Sequence, residues 1–238
     1  MQTNITKAVL LAAGRGTRMR ELTDDLPKPM LQVHGKPVLQ HIIEGLRAAA
    51  IADVLIVVGW RAEVVRGFFA DGSQFGVRVE YATQSVQDGT GKVIELARPF
   101  VRANPFLLCY GDILIAPENY PPLCAALAGA EAVLSVKRNE DVTKGGAVFV
   151  NENFELTDLT EKPGPGEATS PWYNAGIYAF RASIFDYVAK LMPSKRGEYE
   201  LTDAIRNLAL AGNKVRAFEL TGTWADVRDP EILARLNR

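Results

Sequence analysis

The chain is poor in the residues that several common chemistries need. Its 238 residues include two cysteines and two histidines. Cys109 and Cys124 form no metal-ligand pattern and are too few for a disulfide framework. His34 and His41 have no carboxylate motif between them and read as structural or surface residues, not zinc ligands. Neither a Ser-His-Asp nor a Cys-His arrangement is legible. With 27 basic and 28 acidic residues the net charge is −1, so no global basic field favours nucleic acid. No apolar run approaches a membrane span, and Met1 to Lys7 lacks the apolar core of a signal peptide. A cytoplasmic protein without membrane or nucleic-acid partners is expected. Two phosphate motifs are missing as well. The dinucleotide fingerprint G-x-G-x-x-G would need a third glycine where Met19 stands, and the P-loop pattern G-x-x-x-x-G-K-[ST] does not occur.

What is present starts with Leu10-Leu11-Ala12-Ala13-Gly14-Arg15-Gly16-Thr17-Arg18-Met19, followed by Pro27-Lys28-Pro29. An apolar strand here runs into a glycine-rich turn. Glycine lets the backbone approach a ligand closely and adopt conformations closed to other residues. Unpaired amides with Arg15, Arg18 and Lys28 form a site for a polyanion, a nucleoside triphosphate being the candidate. The plainer reading of the glycines alone is an ordinary strand-to-helix turn with solvated arginines.

A composition of 47% hydrophobic and 23% charged residues suits a soluble globular protein. Apolar runs predict strands over 8–12, 54–58, 77–81 and 106–110. Helical spacing predicts helices over 37–50, 62–69 and 92–101, the last broken near Pro99. This β-α-β-α-β-α-β order argues for a doubly wound parallel sheet with helices on both faces. Ligands bind such sheets outside the carboxyl ends of the strands. Gly14 to Arg18 and Gly111-Asp112 both follow strands and should share one pocket. Further on, strands are expected over 132–136, 147–150, 176–180 and 215–220, and helices over 182–191, 200–211 and 230–236. Glu161-Lys162-Pro163-Gly164-Pro165-Gly166 has strong turn chemistry. No repeat or clear linker divides the chain, so one domain with two lobes is expected.

Asp112 past a buried strand and Asp226 in Trp224-Ala225-Asp226-Val227 are unremarkable singly. Meeting near a triphosphate, two carboxylates would hold Mg²⁺, which takes one or two carboxylates plus phosphate oxygens.

These blocks together resemble the sugar-1-phosphate nucleotidyltransferases, most of all the glucose-1-phosphate thymidylyltransferase and uridylyltransferase branch. The resemblance runs nearly end to end. It rests on Leu11 to Met19, Pro27 to Pro29, Gln84 with Gly89-Thr90-Gly91, Gly111-Asp112, Gly145-Gly146, Glu161-Lys162-Pro163, Asn174-Ala175-Gly176-Ile177-Tyr178 and Trp224 to Val227, in order. It implies a Rossmann-like, GT-A-like mixed α/β sheet. An NTP-binding lobe would span about 1–112 and a sugar-phosphate lobe about 113–238. Ala12, Ala13, Gly14, Gly16 and Thr17 would surround the triphosphate, with Arg18 on the leaving pyrophosphate and Lys28 near the α-phosphate. Gln84, Gly89 and Thr90 would meet the base, and an amide at Gln84 suits the imide edge of UTP or dTTP. Asp112 and Asp226 would hold Mg²⁺. Gly146, Glu161, Asn174 and Trp224 would contact the sugar, and Lys162 its phosphate. Partners would be the nucleoside triphosphate, the sugar 1-phosphate and, in a homo-oligomer, further copies of the chain.

Some residues also have structural readings. Lys162 suits a solvated turn, Trp224 the core, and Glu198 and Asp203 a helix start. The chain departs from the family pattern at Arg228, where a glycine is common, and at Asp88, where an apolar residue is common. It shows no hexapeptide repeat, so a second, acyl-transfer activity is not expected. Other acceptors stay open: N-acetylglucosamine, N-acetylmuramic acid, mannose or heptose phosphates, or phosphocholine. Two other classes are a glycosyltransferase and a silent nucleotide-sensing subunit. The Asp-x-Asp metal motif typical of the former is absent at Asp112-Ile113-Leu114.

Overall fold

The computed structural model describes residues 4–238, apart from the Arg20 side chain. Met1 to Thr3 of the N-terminal stretch read above lie outside the described residues.

The first half contains β1 (Lys7–Ala12), the short pair β2 (Gln32–Val33) and β3 (Lys36–Pro37), α1 (Val38–Ala48), β4 (Asp53–Val58), α2 (Ala62–Phe69) and β5 (Arg78–Thr83). It ends with α3 (Thr90–Glu95), α4 (Arg98–Val101) and β6 (Phe106–Tyr110). The second half follows with β7 (Ile113–Ile115), α5 (Tyr120–Ala125), β8 (Ala132–Arg138), β9 (Gly146–Val150), β10 (Leu156–Glu161) and β11 (Trp172–Phe180). It closes with α6 (Ile184–Val188), α7 (Leu201–Leu210), β12 (Val215–Glu219), β13 (Trp224–Asp226) and α8 (Pro230–Leu236).

Strands β5, β4, β1 and β6 are parallel neighbours in that order. The chain therefore moves one way from β1 and returns to its other side with β6. That reversal is the topological switch point, where such sheets bind ligands. The sheet continues without interruption past residue 112, because β11 pairs antiparallel with β6. β8 lies against β11 and β12 against β8, while β9 and β10 attach along the first residues of β11. The sheet is mixed as expected, and it joins both halves.

Strand alternation explains the two cores. Ala8, Leu10, Val54, Ile56, Leu107 and Cys109 face one side and pack with α1, α2 and α5 through Ile42, Leu46, Phe69 and Leu123. Val9, Leu55, Val57, Phe106 and Leu108 face the other and pack with α3, α6 and α7 through Ile94, Phe185 and Ile205. Helices thus cover both faces. Each fully buried aliphatic or aromatic side chain contributes about 1.5–3 kcal/mol relative to exposure.

The expected break in the 92–101 helix is present, at Leu96 and Ala97, because Pro99 suits a first helical turn but not an interior. Two expectations need correction. The 176–180 strand begins earlier, at Trp172, and carries an irregularity between Asn174 and Tyr178. Gly176 adopts a positive φ there, and a Cβ would press within 2.9 Å of the Tyr110 ring. The glycine-rich turn leads into a 3-10 helix, Thr17–Thr23. Helix 182–191 is shorter, at Ile184–Val188.

Candidate active site

The turn after β1 is shaped by one contact. Gly16 has φ +69°, and a Cβ there would lie 2.8 Å from Cβ of Lys28. The lysine stem thus packs directly on the glycine backbone. Met19 is fully buried, so the position where a third glycine was missing is a core position. Thr23 Oγ1 donates to the Gly16 carbonyl at 3.1 Å and holds the turn. Arg15 stacks over Trp60, 4.6 Å from its centroid, on the outer side of the same loop.

The turn borders a cleft of about 400 Å³ lined by Ala12, Ala13, Gly14, Gly16, Arg18, Lys28, Gln84, Gly89, Thr90 and Asp112. Gln87 and Glu198 line it too, although the sequence reading gave Gln87 no role and Glu198 only a cap. Thr17 is exposed outside this lining. Gln84 follows β5, with its backbone N–H on Val58 O at 2.8 Å. Gly89 has φ +117°, and a Cβ would collide with the Tyr199 backbone. Hydrogen bonds Tyr199 N to Asp88 O (2.8 Å) and Gly91 N to Tyr199 O (2.7 Å) tie this loop to the segment entering α7. Asp88 thus serves there through its carbonyl. Thr90 Oγ1 accepts from Leu201 N at 3.2 Å, capping an orphan amide of α7.

A second cleft of about 160 Å³ adjoins the first, sharing Arg18, Thr90, Tyr110, Asp112 and Glu198. Gly146, Glu161, Lys162, Asn174 and Asp226 also line it. Three strands bring these together, with Glu161 opposite Gly146 in the β9–β10 register and Asn174 on the adjoining β11. The Asn174 amide donates to Tyr178 Oη at 2.8 Å, which leaves its buried carbonyl oxygen without a partner. A buried acceptor of this kind calls for a ligand donor such as a hydroxyl. Lys162 adopts φ +40°, its N–H bonded to Gly145 O at 2.5 Å and its Nζ 3.8 Å from Glu161. Trp224 does not line the cleft. Its indole N–H donates to Ala175 O at 3.0 Å, which places it behind the wall.

Four side chains of this cleft lie outside the motifs of the sequence: Lys144, Tyr173, Arg196 and Glu200. Arg196 bonds to Glu200 at 2.5 Å and reaches within 4.0 Å of Glu161. Arginine in a polar turn, Ser194 to Glu198, is the signal that could have found Arg196. Burial and neighbouring Glu200 push the Glu161 carboxyl above its ordinary range, against the pull of Lys162 and Arg196.

The aspartates meet through a ribbon not read from the sequence. β7 and β13 pair antiparallel, with Asp226 opposite Ile113, and Val227 N donates to Asp112 O at 2.9 Å. Asn119, almost wholly buried, fixes the approach by accepting from Thr221 N and donating to Thr221 O, each at 2.9 Å. Lys28 Nζ ion-pairs with Asp112 and lies 3.9 Å from Asp226. Arg228 sits 3.8 Å from Asp226, so the departure from the family pattern adds a cation here. Burial and the Asp112 charge push the Asp226 carboxyl up to about 6, with Lys28, Arg228 and Arg18 opposing. Two hard oxygen donors converging beside the glycine-rich turn are the donor set that Mg²⁺ takes, so these residues fit the ion.

The chain is similar to known proteins in sequence and fold. The family model for nucleotidyl transferases matches residues 7–238. The chain belongs to the nucleotidyl transferase family. It is 33% identical over 231 residues to the bifunctional protein GlmU of Methanococcus maripaludis, covering 97% of this chain and 53% of that protein. It is 34% identical over 235 residues to a glucose-1-phosphate thymidylyltransferase of Streptomyces griseus, covering 98% of this chain and 65% of that one. The chain thus spans about half the length of the first of these relatives. A UDP-glucose pyrophosphorylase solved with UDP-glucose shares the fold, with a TM-score of 0.89 at 23% identity, covering 98% of this chain and 97% of the other. No helix among the described residues is long and apolar enough to cross a membrane, and both cysteines are free.

Proposed function

We propose that the chain condenses a nucleoside triphosphate with a sugar 1-phosphate, giving an NDP-sugar and pyrophosphate. The observation that carries this reading is the junction of the two clefts at Arg18 and Asp112. One cleft offers backbone, Arg18 and Lys28 to a triphosphate, and the other offers Lys162, Arg196 and polar groups to a phosphorylated polyol. A sugar-phosphate oxygen is already an anionic nucleophile and needs no general base. It attacks the α-phosphorus in line as the bond to pyrophosphate breaks. The difficulty is to bring two polyanions together, so positioning and charge neutralisation provide the catalysis.

Arg18 holds the leaving pyrophosphate and Lys28 the α-phosphate. Lys162 and Arg196 hold the acceptor phosphate, Asn174 Oδ1 accepts from a sugar hydroxyl, and Gln84 pairs with a pyrimidine. Asp112 and Asp226 would hold Mg²⁺, which would supply charge neutralisation and a template for phosphate oxygens. UTP or dTTP with glucose 1-phosphate is the pair favoured. Residues up to about 112 form most of the nucleotide side and the later ones most of the acceptor side.

Pyrophosphate release should be measured for the common nucleoside triphosphates against a panel of sugar 1-phosphates. Release that needs both substrates and Mg²⁺ is expected, with UTP or dTTP best. Release without an acceptor, or none with any pair, would refute the reading.

A further inference from the structure

Two adjacent glycines at the start of β9 leave room for side chains from another strand. A Cβ on Gly146 would lie 3.0 Å from Asn174 Cβ. A Cβ on Gly145 would overlap the hydroxyl end of the Tyr173 ring. The phenol therefore fills the corner that a side chain at 145 would otherwise occupy. Its ring is held edge-on to Trp224, centroids 5.4 Å apart at 67°. Trp224 is itself tied to the Ala175 carbonyl.

Tyr173 is only 4% exposed, yet it lines the smaller cleft. Among the described residues its hydroxyl has no hydrogen-bond partner. A phenol is protonated at neutral pH and able to donate. A nearly buried donor that faces the cleft without a partner is suited to an oxygen on the ligand.

We propose that Tyr173 sets acceptor choice. Its hydroxyl donates to an oxygen substituent of the acceptor ring, and its ring closes the corner above Gly145 to acceptors with a bulky N-acyl branch. The preferred class is then an unbranched hexose 1-phosphate. This rests on the functional reading above.

The test is steady-state kinetics with Mg²⁺ and UTP or dTTP, comparing glucose 1-phosphate with N-acetylglucosamine 1-phosphate in wild type, Tyr173→Phe and Tyr173→Ala. Wild type should favour glucose 1-phosphate by about tenfold or more, the scale set by an unpaired buried donor and a steric corner. Tyr173→Phe should raise the acceptor KM about tenfold while leaving the nucleotide KM unchanged. Tyr173→Ala should shift the preference about tenfold towards the N-acyl sugar. Equal use of both acceptors by wild type would overturn the proposal. So would an unchanged acceptor KM in Tyr173→Phe, which keeps the ring and decides the matter even if Tyr173→Ala does not fold. Absence of turnover with every acceptor would instead defeat the functional reading, and this proposal with it.

Discussion

The two clefts are built in opposite ways. The larger one uses loops at the carboxyl ends of β1, β5 and β6, and much of its wall is backbone: Ala12, Ala13, Gly14, Gly16 and Gly89. The smaller one uses side chains from antiparallel β9, β10 and β11 and from the segment before α7. A phosphate chain can be held by amides and point charges, so its site is compact in sequence. A polyol needs donors and acceptors at several separated points, which only strands distant in the chain can supply. The clefts also differ in charge. The smaller is lined by five carboxylates, Asp112, Glu161, Glu198, Glu200 and Asp226, facing four cations, Arg18, Lys144, Lys162 and Arg196, whereas the larger has two of each.

The largest test of this contrast is at the seam. Asp226→Asn should lower turnover about 10²–10³-fold with the fold retained by circular dichroism, as for loss of one group that stabilises developing charge. A wild-type rate would remove Asp226 from the shared reaction point. Lys162→Met should raise the acceptor KM about 10- to 100-fold, the scale of a charge-assisted hydrogen bond, and leave the nucleotide KM alone. Gly16→Ala should do the reverse. Its methyl would press on Lys28 at a left-handed φ, costing about 1–2 kcal/mol and raising the nucleotide KM first. Equal effects on both substrates from either variant would erase the distinction between the clefts.

The smallest effect concerns Glu161. Its carboxyl titrates above its ordinary value of 4.5 in the folded protein. The folded state therefore binds the proton more tightly than the unfolded chain, and stability falls as pH rises from about 4.5 through the folded value. Glu161→Gln should melt higher than wild type at neutral pH, by an amount that vanishes below pH ~4.5. Thermal unfolding across that range checks it. A constant difference would point to packing and not charge.

The contrast also explains what could be read in advance. Buried strands β1, β4 and β6 are continuous apolar runs followed by glycine or a polar turn, so both the parallel half and the loop at Gly14 to Arg18 were legible. β10 reads Leu-Thr-Asp-Leu-Thr-Glu, too polar to stand out as a strand. β7 and β13 are three residues each, and only their pairing gives them meaning. That pairing is what joins Asp112 to Asp226. The family resemblance linked the two aspartates, whereas local pattern could not. Asn174 and Gly176 hid the first part of β11, because neither favours strands. Tyr173, at the edge of that hidden part, carried no pattern that pointed to a cleft. Trp224 illustrates the converse: an aromatic beside a motif residue packs behind the wall while its neighbour Asp226 enters the site.

The central claim is that both clefts serve one displacement at the α-phosphorus. Among the described residues the junction holds no serine, cysteine or histidine that could carry the nucleotide. The direct measurement is the stereochemical course with an α-thio nucleoside triphosphate of defined configuration and the best sugar 1-phosphate. Inversion at phosphorus is the result expected of a single in-line attack. Retention would require a covalent nucleotidyl intermediate and would contradict the account.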